Sequence, residues 1–144
     1  MRNLHKFAAI GAMVIIALFF LSTLISEIFL GVEEIVFVKI AITYLIPFLV
    51  IFMALTGISG NKLGKKINSK EVLAKQKLIK IVAVNGILVL IPLAFTLRSY
   101  AENLEFTLFF WSLQILELIA GATNLFLMSK LARLGKELKH FKTT

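Results

Sequence analysis

One stretch of the chain places polar side chains inside an apolar run: residues 114–124, Gln-Ile-Leu-Glu-Leu-Ile-Ala-Gly-Ala-Thr-Asn. The surrounding run is long enough to cross a bilayer as a helix. On that helix Gln114, Glu117, Gly121 and Asn124 follow one another at steps of three, four and three, so they share one face. A carboxylic acid at membrane depth is expensive and marks a functional site by default. The chemistry that such an acid could serve is proton exchange or the binding of a cation.

Glu117 is predicted to lie about 16 Å into its span, counted from Phe106, and therefore near the bilayer midplane. At that depth it must be protonated or paired. The basic residue nearest in depth is Lys39, about two turns shallower, and its ammonium is expected to extend to the headgroups. Two interpretations stay open. Gln114, Glu117 and Asn124 either hold helices together by hydrogen bonds, or Glu117 takes up a proton or a cationic group.

Asn85 belongs to another apolar span, the third along the chain. Its distance from the cytoplasmic edge of that span is about the same as the distance of Asn124 from the cytoplasmic edge of the fourth span. Neighbouring spans would bring the two amides to the same depth, so we predict that they pair. The candidate proton or ligand site thus comprises Glu117, Gln114, Asn124, Asn85 and Lys39.

The chain lacks the residues that other kinds of membrane active site require. The chain has no cysteine and no aspartate, and its two histidines, His5 and His140, lie beside the termini. Hydrolysis by a Ser–His pair, paired aspartates or a zinc site, and bis-histidine haem in the membrane, therefore have no residues to use. We predict no catalytic residue, no metal and no cofactor, although a quinone could bind beside Gln114 or Glu117.

The composition places these residues in lipid. Of 144 residues, 59% are hydrophobic and only 17% are charged, which exceeds what a soluble domain of this size needs. We predict an all-α integral membrane protein of one domain, 1–144, folded as a four-transmembrane-helix bundle with spans at about 7–28, 35–58, 79–97 and 106–128. A cleavable signal peptide would have a shorter apolar region and a small-x-small site, so the first span is expected to be retained.

Charge predicts the topology. The N-terminus, the connection 59–78 extended to Lys80, and the tail 129–144 carry all but two of the 16 Lys and Arg residues. The exceptions are Lys39 and Arg98, near the two short connections that carry most of the glutamates. Because positive residues stay on the cytoplasmic side, we predict antiparallel up-down helices with both termini in the cytoplasm, in a bacterial inner membrane.

The basic segments are predicted to contact anionic lipid headgroups. Asn68, followed three residues later by Glu71, resembles a capping box and predicts a helix start there. The tail places its leucines on one helical side, as in segments that lie on a membrane surface. No motif of a nucleic-acid reader accompanies these charges. The predicted headgroup contacts are Lys65, Lys66, Lys70, Lys130, Arg133 and Lys136.

Two functions fit this pattern. The first is a structural or accessory subunit that binds other membrane subunits, or copies of itself, in a larger complex. The alternative is an oligomeric proton-coupled small-molecule transporter or channel that uses Glu117. Four short helices with one embedded glutamate resemble the small multidrug resistance exporters, but their glutamate lies in the first helix and here it lies in the fourth. No motif carries over, so no family is assigned.

Overall fold

A computed structural model describes residues 2–64 and 70–140, and every regular element within those ranges is helical. Four stretches of helix are long and apolar enough to cross a membrane, which confirms the predicted number of spans. The third consists of two α-helices joined through a short π-helix, here termed the π segment. The elements are α1 (Arg2–Phe29), α2 (Val32–Gly64), α3 (Lys70–Asn85), the π segment (Gly86–Leu90), α4 (Ile91–Glu102) and α5 (Leu108–His140).

Helix α2 is longer at both ends than the predicted span. It begins at Val32, three residues early, where two glutamates in the first turn suit the positive end of the helix dipole. It also continues past residue 58, where the predicted span ended, through Gly60 and Asn61 to Gly64. The predicted end was wrong because tertiary contact outweighs the cost of a helical glycine, about 0.5–1 kcal/mol.

The contact that holds the end of α2 comes from α1. The imidazole of His5 places Nδ1 3.2 Å from the Thr56 carbonyl oxygen and 3.1 Å from the Ser59 hydroxyl. A Cβ at Gly60 would lie 3.1 Å from His5 Cε1. A glycine therefore lets the ring approach the helix closely.

The π segment has a cause in the sequence. Pro92 has no N–H, and its ring would collide with the carbonyl four residues back in an α-helix. The backbone widens instead, and the Ile91 N–H bonds to the oxygen of Gly86, five residues back. Such π turns inside α-helices occur frequently at functional sites.

The bundle core is built from small apolar clusters between helices. Ala12, Ile16 and Leu49 form one between α1 and α2, and Ile42, Ile46 and Ala94 form another between α2 and α4. Large apolar side chains cover the outside of all four spans, as suits a protein surrounded by lipid. A Cβ added at Gly57 would have no heavy atom within 4 Å apart from its chain neighbours and the nearby backbone of its own helix.

Several predictions fall on parts of the chain that the structure does not describe. Lys65, Lys66 and Asn68 lie outside the described residues, and so does the predicted capping box. Helix α5 runs on to His140 without a break after residue 128, so the described part of the tail continues the fourth span. Lys136 belongs to that helix, but its side chain lies outside the described part.

Candidate proton and ligand site

Lys39 lies inside the bundle. Its side chain is 1% exposed, and Nζ donates hydrogen bonds to Gln114 Oε1 at 2.5 Å and to Glu117 Oε2 at 2.8 Å. The expectation that this ammonium extends to the headgroups was wrong, and Glu117 has the partner that the sequence reading could not find. Gln114 Nε2 also donates to Glu117 Oε2, at 3.0 Å.

The depth difference between Lys39 and Glu117 closes for two reasons. Helix α2 begins at Val32, so Lys39 lies about 10 Å along it instead of one turn inside the boundary. Helix α5 begins at Leu108, two residues later than the predicted span, so Glu117 lies only about 14 Å along it. The lysine stem spans the remaining distance.

A second carboxylate, Glu27, joins the group from the end of α1. Its Oε1 lies 3.4 Å from Lys39 Nζ, and its side chain is 6% exposed. That distance is within ion-pair range, yet Oε1 is a buried acceptor that receives no hydrogen bond from the described residues. Glu27 was not among the predicted site residues, and it lies at the end of the predicted first span and in the last turn of α1. The sequence signal that could have indicated Glu27 was Thr23, a polar residue one helical turn earlier on the same face of α1.

These four side chains, Glu27, Lys39, Gln114 and Glu117, are termed the charge cluster. One ammonium and two ionised carboxylates carry a net charge of −1, and an uncompensated buried charge is costly. Binding one proton makes the cluster neutral. The arrangement can therefore hold one proton, or one additional monovalent cation in its place.

Glu117 also forms part of the wall of a cavity in the centre of the bundle. All four spans contribute to this cavity, whose volume is about 60 Å³. Its walls are apolar apart from Glu117 and Thr23, and Leu90 of the π segment lies among them. The volume is less than half of the roughly 150 Å³ of an engineered cavity that binds benzene. In this conformation the cavity is therefore too small for a benzene-sized group, and a ligand would enter it only if the surrounding helices move apart.

The two oxygens of Glu117 have different surroundings. Oε2 accepts from both Lys39 and Gln114. Among the hydrogen bonds of the described residues, none reaches Oε1. The carboxylate thus keeps one acceptor for a hydrogen-bond donor or a cation that enters the cavity.

The predicted pair of asparagines is confirmed. Asn85 Nδ2 donates to Asn124 Oδ1 at 2.9 Å and to the Ala120 carbonyl oxygen at 3.0 Å. Asn124 is fully buried, and its own Nδ2 lies 3.4 Å from the Val82 carbonyl oxygen. Both amides are therefore used in joining α3 to α5, one helical turn beyond the cavity. Their contacts are those of a structural hydrogen-bond pair.

Arg98 belongs to a separate polar group that the sequence reading did not foresee. Its guanidinium donates to the Thr43 hydroxyl at 2.8 Å and to Glu102 at 3.1 Å, and it lies over the ring of Tyr44 at 5.2 Å. This group joins the end of α4 to α2. Among the predicted headgroup contacts, the side chains of Lys70, Lys130 and Arg133 are exposed.

Comparison with known proteins identifies no relative: no protein-family model matches the chain, and neither does any curated protein or solved structure.

Proposed function

We propose that this protein is a proton-coupled carrier of small lipophilic cations, with Glu117 as the carboxylate that receives the cation. The proposal depends on one observation, which is that Glu117 belongs both to the charge cluster and to the wall of the cavity. Its Oε2 belongs to a charge cluster that can hold one proton, and the same side chain borders a central cavity. An apolar pocket with a few convergent polar groups is the default binding site in a protein.

The charge of the cluster favours a cation over a neutral molecule. With both carboxylates ionised the cluster carries −1, so it becomes neutral with either a proton or a monovalent cation. A proton and a monovalent cation therefore compete to neutralise the same negative charge. This competition is sufficient to exchange a cation for a proton, and no further contact between the bound cation and the proton is required.

The proposed topology is antiparallel up-down, with both termini in the cytoplasm of a bacterial cell and the basic residues near anionic headgroups. The charge pattern supports it, because Lys70, Lys130 and Arg133 belong to segments that would face the cytoplasm. The charge cluster would then lie toward the opposite side, since its members come from the helix ends that adjoin the two short connections.

The small volume of the cavity limits how one chain could act. About 60 Å³ is far below the roughly 300–1,000 Å³ of pockets that enclose drug-sized ligands. The helices around the cavity would separate to admit the cationic head, while the apolar body lies between helices or in lipid. A complete path across the membrane would form between two or more copies, so a homo-oligomer belongs to the proposal.

Uptake by reconstituted vesicles tests this function. The probe is a permanently charged amine, dansylaminopropyl-trimethylammonium, which cannot cross the bilayer as a neutral base. Vesicles with an acidic lumen are expected to accumulate it when they contain the wild-type protein, and to lose this uptake with Glu117→Gln. The matched control is Glu33→Gln, since Glu33 is exposed in the first turn of α2. Equal uptake by the wild type and Glu117→Gln would rule out Glu117 as the site.

A structural or accessory subunit is the second candidate, and one observation favours it. Gly57 on α2 faces open space, and small residues are where membrane helices of different chains approach closely. On this proposal a helix of another subunit packs there. Gentle detergent extraction should co-isolate a membrane partner with the wild type and lose it with Gly57→Leu. Isolation of the wild-type chain alone would exclude this role.

A further inference from the structure

Glu27 and Glu117 differ in how many donors they receive, although both contact the same ammonium. Glu117 Oε2 accepts from Lys39 at 2.8 Å and from Gln114 at 3.0 Å. Glu27 Oε1 lies 3.4 Å from Lys39 Nζ, and no described residue donates a hydrogen bond to it. Hydrogen bonds to a carboxylate stabilise its ionised form, whereas burial without donors favours the neutral acid. The proton of the cluster is therefore better placed on Glu27 than on Glu117.

We propose that Glu27 is the proton-binding residue of the charge cluster and that Lys39 is the movable link between Glu27 and Glu117. In the resting state Glu27 is a neutral acid, Glu117 is ionised and Lys39 pairs with Glu117. A cation that reaches Glu117 from the cavity displaces the ammonium toward Glu27. The O–H bond of Glu27 then breaks, its proton passes to water, and the new carboxylate pairs with Lys39.

This exchange balances in charge. Before it, the cluster holds Lys39 as an ammonium, one carboxylate and one neutral acid. After it, the cluster holds the ammonium, the bound monocation and two carboxylates, so one positive charge has entered and one proton has left. The movement needed is small, because Nζ already lies 3.4 Å from Glu27 Oε1 and an ion-pair hydrogen bond requires about 2.8 Å. The coupling step rests on the proposed function, whereas the location of the proton does not.

Few charged groups face Glu27 from the helices packed around it. Helix α2 contributes Lys39, and helix α5 contributes Glu117 beside the neutral Gln114. The carboxylate of Glu34, at the start of α2, accepts a hydrogen bond from the Gly31 N–H at 2.9 Å. On α4, the guanidinium of Arg98 is bonded to Thr43 and Glu102. The cluster itself therefore sets the protonation of Glu27.

The first test locates the proton without any ligand. The protein is labelled with ¹³C-glutamate in lipid nanodiscs, and the carboxyl carbon of each assigned glutamate is followed by NMR at neutral pH. We expect the Glu27 carboxyl to have the chemical shift of a protonated acid and that of Glu117 to have the shift of a carboxylate. The exposed Glu33 supplies the ionised reference in the same sample. A protonated Glu117, or two ionised carboxyls, would overturn the proposal.

The second test measures whether Glu27 releases the proton when a cation binds. If one proton leaves for each cation bound, affinity for the dansyl probe should rise about tenfold per pH unit while Glu27 is protonated in the free protein. Glu27→Gln has no proton to release, so its affinity should be lower and independent of pH. A purely structural role would lower the affinity and keep the slope, which would refute Glu27 as the proton carrier. If the wild type binds no probe, the proposed function fails, while the NMR result still decides where the proton lies.

Discussion

Replacing Lys39 by methionine tests the charge cluster most sharply, because methionine keeps the apolar stem and removes only the charge. The wild-type ammonium is 1% exposed and contacts oxygens of Gln114, Glu117 and Glu27 at 2.5, 2.8 and 3.4 Å. Removing one partner of a buried ion pair costs about 3–5 kcal/mol, since the remaining charge has no compensation. Lys39→Met should therefore lower the free energy of unfolding by about that amount.

The assay is reversible unfolding in bicelles at neutral pH, with two matched variants. Lys80→Met removes an exposed lysine on α3 and should change the free energy of unfolding by less than about 0.5 kcal/mol. The triple variant Lys39→Met, Glu27→Gln, Glu117→Gln removes every charge of the cluster, so it should recover to within about 1 kcal/mol of the wild type. If Lys39→Met is as stable as Lys80→Met, the ammonium reaches the headgroups and the cluster does not exist as described.

Four further substitutions test three separate parts of the fold. Asn124→Ala and Asn85→Ala should each destabilise the bundle, and a double-mutant cycle should give a coupling of about 0.6–1.7 kcal/mol, whereas additive effects would deny the hydrogen bond between them. Gly121→Leu should fill the cavity beside Phe20 and abolish probe binding while the cluster stays intact by NMR, and unchanged binding would place the ligand elsewhere. Leu104→Gly should raise the free energy of unfolding by about 1 kcal/mol, because Leu104 has a φ of 57°, and a loss of stability would show that its exposed side chain matters more.

The sequence predicts best where depth alone decides a contact. The asparagine pair follows from equal distances to one membrane edge, and both side chains are too short to reach far from their helices. The number of spans follows from apolar runs of sufficient length. Neither inference requires knowledge of side-chain direction.

Lys39 shows why the charge cluster could not be predicted in the same way. Its depth relative to Glu117 depends on the true starts of α2 and α5 and on a long flexible stem. Helix boundaries are uncertain by a few residues in any sequence reading, and three residues move a side chain by about 4.5 Å along the axis. Glu27 was missed because it lies in the last turn of α1, where a glutamate is ordinarily expected to face the membrane surface.

The exchange of one cation for one proton is the central claim, and proton counting by calorimetry tests it most directly. Probe binding to the wild type is measured at one pH in two buffers with different ionisation enthalpies, and the difference in observed heat gives the number of protons released. The account predicts one proton released per probe bound by the wild type and none by Glu27→Gln. Binding to the wild type with no release of protons would contradict it.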